Sequence, residues 1–140
     1  MIIGLAYLMN YSGMTYSLGL GIVAVGPWFP FVSAFLGWIA VFLTGSDTSG
    51  NALFGNMQVV AANQLGLSPT LMAATNSTGG VFGKMISPQS IACGVATTGM
   101  HGKEGAIVAR TFKLSIFLTL LLGVLVWLQQ NHLHWMIPGH

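Results

Sequence analysis

Only six side chains in this 140-residue chain carry a formal charge, and four of them, Lys103, Glu104, Arg110 and Lys113, crowd into one short stretch. The other two, Asp47 and Lys84, stand far from that stretch and from each other. Charged residues make up 4% of the chain, where an ordinary soluble domain has about 25%. So few charges cannot cover a surface that faces water. Disorder is excluded on the same ground, because disordered chains are polar and charged. With 54% hydrophobic residues and a mean hydropathy of +0.76, the composition is that of an integral membrane protein, with the lipid bilayer as its first partner.

The remaining counts agree. The 19 glycines suit membrane helices, where small residues let neighbouring helices approach closely. A net charge of +2 on so few groups, with no basic cluster, gives no reason to expect a nucleic-acid partner. The single cysteine, Cys93, excludes an intrachain disulfide and is expected to pack as a small hydrophobe. Met1-Ile2-Ile3-Gly4 has no basic region before it and is not expected to open a signal peptide.

Three crossings are expected, at residues 2–25, 28–44 and 114–128. Asn10-Tyr11-Ser12-Gly13 interrupts the first, and Gly26-Pro27-Trp28-Phe29-Pro30 reads as a turn between the first and second, which would pair as a hairpin. Four of the six charges precede the last crossing, so the positive-inside rule puts that side in the cytoplasm and the tail from Gln129 to His140 outside, with Trp127 and Trp135 at the interface.

Residues 45–100 have a different texture. Asn56, Gln58, Asn63 and Gln64 make one apolar segment too polar to face lipid all round, so it must face protein, a cavity or the interface. Ser68-Pro69 and Ser87-Pro88 each combine an N-cap with a residue pre-set for the first helical position, so helices are expected to start at both prolines. Between them, Thr75-Asn76-Ser77-Thr78-Gly79-Gly80 is expected to interrupt the helix and leave half-helices around unwound backbone. The fold class is therefore all-α integral membrane, a single multi-pass bundle over 1–140 with broken or re-entrant helices in 45–100, as part of a larger secondary-transporter fold.

Asp47 is the first candidate for chemistry. An ionisable residue at membrane depth is a functional hypothesis by default, and a partly desolvated carboxylate can take up and release a proton. Its plainer role is to cap the helix that follows. Lys84 can bind a carboxylate or pair with Asp47, or it can snorkel to the headgroups along its apolar stem. Asn76, Ser77, Thr78, Gly79 and Gly80 supply hydroxyls, an amide and, where a helix is broken, free backbone groups of the kind that hold an anion and a coupling ion. A glycine-rich packing face is the structural alternative. His132-Leu133-His134 lacks a third ligand, so no metal or other cofactor is expected. No enzyme motif is present, and enzymatic activity is not expected.

At these residues the chain resembles the bacterial L-lactate permease family. The likeness rests on Phe42-Leu43-Thr44-Gly45-Ser46-Asp47-Thr48-Ser49 with Asn51-Ala52-Leu53-Phe54, on Ala74-Thr75-Asn76-Ser77-Thr78-Gly79-Gly80-Val81, and on Gly83-Lys84-Met85-Ile86-Ser87-Pro88-Gln89-Ser90. Asn10-Tyr11-Ser12-Gly13 and the ending Trp135-Met136-Ile137-Pro138 are similar too, while Gly4-Leu5-Ala6-Tyr7-Leu8 and Leu65-Gly66-Leu67 look closer to the glycolate permease branch.

The resemblance implies a multi-pass symporter of the bacterial inner membrane that takes up L-lactate, glycolate or a related 2-hydroxymonocarboxylate with protons. Family members are several times longer, so this chain corresponds to their C-terminal portion and the N-terminal part of the permease is a missing partner. Local chemistry then divides the roles. Lys84 and the backbone near Gly79 and Gly80 serve the carboxylate, Asn76, Ser77, Thr78, Ser46, Thr48 and Ser49 serve the hydroxyl, and Asp47 carries the proton. The alternatives are a non-transporting membrane remnant or small assembly subunit, and a transporter of another organic anion. The fragment alone is expected to be inactive if both halves of the permease build the site.

Overall fold

The computed structural model describes residues 2–137. Met1 of the chain start, and Pro138 of the Trp-Met-Ile-Pro ending with the last two residues of the tail, lie outside the described residues. Every regular element among the described residues is helical.

Local backbone chemistry sets most boundaries. α1 (Ile2–Tyr11) and α2 (Met14–Ile22) are separated by Ser12-Gly13, where Gly13 has a φ of 76°. A 3-10 turn (Val23–Trp28) follows, with Gly26 at φ 60°, ψ −134°, a backbone that favours glycine. α3 (Phe29–Thr44) carries Pro30 in its first turn and stops at left-handed Gly45, whose N–H caps the Val41 carbonyl at 2.8 Å. The first two segments do not pack as a hairpin. α2 lies against α5, and α3 lies against α6 and α8.

α4 (Asp47–Gly50), a π-helical turn (Asn51–Gly55) and α5 (Asn56–Leu65) follow one another without leaving right-handed helical geometry. Single π-turns of this kind occur often at functional sites. α6 (Pro69–Lys84) and α7 (Pro88–Thr98) start at the two prolines, and Ser68 and Ser87 accept the N–H of Leu71 and Ser90 at 3.3 Å each. Both caps are as the Ser-Pro pairs predict.

The expected interruption at 75–80 is overturned. α6 runs unbroken for 16 residues through Gly79 and Gly80, and the backbone leaves the helix only at 85–87. The reason is tertiary. A Cβ on Gly37 would collide with the Asn76 carbonyl, one on Gly79 with the Ala34 carbonyl, and one on Gly83 with the Trp38 carbonyl. α3 and α6 thus meet backbone to backbone along glycines four residues apart on α6, as small residues allow in membrane helices. The helical glycines serve contact here.

α8 (Glu104–Asn131) spans 28 residues, about 42 Å at 1.5 Å per residue, and contains the expected 114–128 segment. It is anchored at both ends of α6. Trp38 Nε1 donates to Ser115 Oγ at 2.7 Å, and Ser115 Oγ donates to the Phe82 carbonyl at 2.6 Å. Near the other end, Gln130 Oε1 accepts the Ser68 N–H at 3.2 Å. Phe29, Ala34, Ala61, Ala62, Met72, Leu122 and Val126 form the core between these helices.

Met14–Thr44 and Glu104–Asn131 are each long and apolar enough to cross a membrane, although Gly26 divides the first. Leu114, Phe117, Leu121 and Val124 remain 50–59% exposed on α8, an apolar face that suits lipid or further protein. Trp28 stacks on Trp127 with ring centroids 6.4 Å apart, and Trp135 is exposed. Cys93 is exposed, contrary to the expectation that it packs inside, because α7 buries only Ile91 and Val95 and turns Cys93 away.

Candidate functional site

The polar residues of the middle segment converge where α4, the π-turn, α5 and α6 meet α3. At the end of α3, Thr44 Oγ1 accepts the Ser46 N–H at 3.3 Å, and Ser46 Oγ accepts the Ser49 N–H at 3.4 Å. Ser46, not Asp47, is therefore the cap, and Asp47 is the first residue of α4. This frees the Asp47 carboxylate to point across to α6.

From Ser33 to Asp47 the side chains form one continuous hydrogen-bonded chain. The Ser33 hydroxyl meets Gln58 Oε1, and Gln58 Nε2 donates to the Ser33 carbonyl at 3.2 Å and to Asn76 Oδ1 at 2.6 Å. Asn76 Nδ2 donates to Asn51 Oδ1 at 2.7 Å, Asn51 Nδ2 donates to Ser77 Oγ at 3.2 Å, and Ser77 Oγ donates to Asp47 Oδ2 at 3.3 Å. Ser33, Gln58 and Asn76 are fully buried. The chain runs from this buried end to the half-buried Asn51, Ser77 and Asp47, and its buried amides each find their partners.

The other carboxylate oxygen differs. Asp47 Oδ1 is buried and has no hydrogen-bond partner. It faces Gly80, where a Cβ would lie 2.7 Å away. An unpartnered buried oxygen is costly; among the described residues only Thr15 Oγ1 shares that state, and it carries no charge.

The ten sequence-predicted residues separate by place. Asp47, Asn76 and Ser77 join the chain, Ser46 caps α4, Ser49 is buried beneath it, and Gly80 borders Oδ1. Gly79 belongs to the α3 contact, and the backbone groups of Gly79 and Gly80 lie inside the unbroken α6. Thr78 is exposed and donates to its own Ala74 carbonyl at 2.9 Å. Lys84 is exposed and forms no pair with Asp47. Thr48 is exposed and lines a separate cavity of about 340 Å³ with Tyr7 and Asn10. A larger groove of about 490 Å³, lined by Phe42, Ile91, Val95 and Val108, lies between α7 and α8, away from the polar chain.

Ser33, Asn51 and Gln58 join the chain although none was expected at the site. Gln58 did carry a signal, as one of four amides too polar for lipid. Of those four it alone is buried, while Asn56, Asn63 and Gln64 are exposed. Among the described residues no group of three or more His, Cys, Asp or Glu side chains is placed to hold a metal ion.

Comparison with known proteins agrees with a membrane-type helical chain. The family model described as L-lactate permease matches residues 1–133. The chain is 51% identical over 138 residues to the L-lactate permease of Escherichia coli (strain K12), covering 99% of this chain and 25% of that protein. It is 50% identical over 137 residues to the L-lactate permease of Bacillus subtilis (strain 168), covering 98% and 24%. It is 50% identical over 129 residues to the glycolate permease GlcA of Escherichia coli (strain K12), covering 92% and 23%. The chain thus spans about a quarter of the length of these curated relatives. No solved structure matches it. With one family model covering nearly its whole length, the chain belongs to the L-lactate permease family.

Proposed function

We propose that this chain forms the C-terminal part of a multi-pass permease of the bacterial inner membrane, which takes up L-lactate, glycolate or a related 2-hydroxymonocarboxylate together with protons. Relatives named for both lactate and glycolate support the substrate class. The observation that carries the coupling is Asp47, a carboxylate with one oxygen tied into a partly buried donor chain and the other buried and unpartnered. In a membrane protein that is the kind of group that carries a proton.

The other roles follow from position. Ser77 lies seven residues before Lys84 on α6, so the two share a face about two turns apart. Exposed Lys84 draws in the substrate carboxylate, Ser77 donates to Asp47, and Ser46 and Ser49 add hydroxyls at the start of α4, while Thr48 and Thr78 are turned elsewhere and the Asn76 amide is already used within the chain. Lys103, Arg110 and Lys113 support a cytoplasmic start of α8 by the positive-inside rule.

The test is uptake of labelled L-lactate and glycolate by cells that lack their own permeases and express the full-length protein containing this segment. Uptake of at least one, inhibited by the other, is expected. Expression of residues 1–140 alone gives no uptake, since the remainder of the permease is needed to complete the path. A full-length protein that moves neither acid would overturn the proposal.

A further inference from the structure

The hydrogen-bonded chain that ends on Asp47 has a direction, and the direction is fixed at its far end. The Ser33 carbonyl can only accept, so the Gln58 atom that reaches it at 3.2 Å must be the amide nitrogen. That choice leaves Gln58 Oε1 for the Ser33 hydroxyl and sends the same nitrogen to Asn76 Oδ1. Each later amide follows. Asn76 must present its nitrogen to Asn51, and Asn51 must present its nitrogen to Ser77. Ser77 Oγ then accepts from Asn51, and its single hydrogen is left to go to Asp47 Oδ2.

The amide links cannot reverse without every one of them rotating, and Ser77, the hydroxyl at the end, could accept a proton from the carboxyl only by leaving its own hydrogen without an acceptor, since Asp47 Oδ2 is the one acceptor that hydrogen reaches among the described residues. Asp47 Oδ2 is therefore an acceptor in both protonation states. A proton on this carboxyl has one place left, Oδ1, which is buried and unpartnered beside Gly80. We propose that Ser33, Gln58, Asn76 and Asn51 are positioning residues that act through Ser77 to hold Oδ2 as an acceptor, so that Oδ1 is the atom that gains and loses the coupled proton. The O–H bond forms at Oδ1 and breaks at a water or hydronium ion, with no change of oxidation state. The carbonyl-like Oδ2 keeps its Ser77 hydrogen bond throughout, which fixes the carboxyl plane while the proton comes and goes. A side chain on Gly80 would intrude on both Oδ1 and Val41.

The surroundings leave this carboxyl little competition. Of the elements packed on α4, α3 and the π-turn carry no titratable side chain, α6 carries Lys84, and α1 carries Tyr7 and Tyr11. Lys84, Tyr7 and Tyr11 are all exposed.

This inference rests on the reading of Asp47 as the proton carrier, and its test separates the two. Substrate binding to the purified full-length permease in liposomes is measured against pH for the wild type, Asp47→Asn, Ser77→Ala, Ser77→Thr and Gln58→Met. Removing a donor to the ionised carboxylate disfavours the charged form, so Ser77→Ala is expected to move the pH midpoint upward by about one unit. Ser77→Thr keeps the hydroxyl and the wild-type midpoint, and Gln58→Met moves it upward by less. If Ser77→Ala does not reach the membrane, Ser77→Cys, a much weaker donor, carries the same expectation. A chain that only supports the fold would lower the amount of active protein and leave every midpoint in place, which overturns the inference. Should Asp47→Asn keep the wild-type pH dependence, the proton-carrier reading itself fails. If Asp47→Asn removes it while the Ser77 and Gln58 variants do not move the midpoint, only the positioning chain fails.

Discussion

Gly80 lies directly against the unpartnered oxygen of Asp47, so that a Cβ on Gly80 would sit 2.7 Å from Oδ1 and 2.5 Å from Cγ2 of Val41. One glycine thus sets the space at the carboxylate from the α6 side. Gly80→Ala is expected to destabilise the fold by about 1–3 kcal/mol, as overpacking does. Its larger effect falls on transport, because the carboxylate is one of the two groups that must shift. Uptake per folded protein, with the folded amount measured by size-exclusion chromatography, checks this.

Gly37 and Gly21 test the helix contact in opposite directions. A Cβ on Gly37 would run into the Asn76 backbone carbonyl, which cannot step aside without moving α6. Gly21, in α2, has nothing within 4 Å of the corresponding position. Gly37→Ala should lower the thermal unfolding midpoint of the permease strongly, while Gly21→Ala should leave it unchanged or raised, since alanine favours a helix by up to about 1 kcal/mol.

That contact also explains how the sequence misleads at this place. Hydroxyls, an amide and two adjacent glycines over 75–80 carry the local signals of an interrupted helix, yet α6 passes straight through. Glycine is needed at 79 and 83 by the carbonyls of Ala34 and Trp38, residues more than 40 positions earlier in the chain. No local rule carries that information. The starts at Pro69 and Pro88 are legible because an N-cap and its proline act within four residues. The site divides in the same way. Asp47 stands out by being a lone charge, and Gln58 by being too polar for lipid. Asn51 gives no such sign, because its partners Asn76 and Ser77 lie 25 and 26 residues away. Lys84 stands out as strongly as Asp47, yet the helix turns it to the surface, so scarcity of charge alone does not identify a buried pair.

Ser115 is the joint between three helices. It accepts from Trp38 Nε1 on α3 and donates to the Phe82 carbonyl on α6. Ser115→Ala removes both partners and leaves the indole N–H unpaired, at a cost of about 1–3 kcal/mol. A lower unfolding midpoint with a shifted tryptophan emission maximum is the expected outcome, with the pH midpoint of substrate binding unchanged.

Lys84 is exposed and unpaired with Asp47, so its removal takes no packing from the fold. Lys84→Gln should leave the unfolding midpoint where it is. Its proposed role at the substrate carboxylate predicts a several-fold rise in KM for lactate with little change in maximal rate, the pattern of lost uniform binding. Uptake measured across substrate concentration separates this from a loss of maximal rate, which would place Lys84 in the transport step itself.

The proton-carrier role of Asp47 is tested most directly by Asp47→Asn in the full-length permease, reconstituted in liposomes with an imposed pH gradient. Asparagine keeps the shape and can still accept from Ser77, but it cannot take up a proton. The account predicts that lactate accumulation driven by the gradient is lost while exchange of internal for external lactate continues. Accumulation at the wild-type level would contradict it.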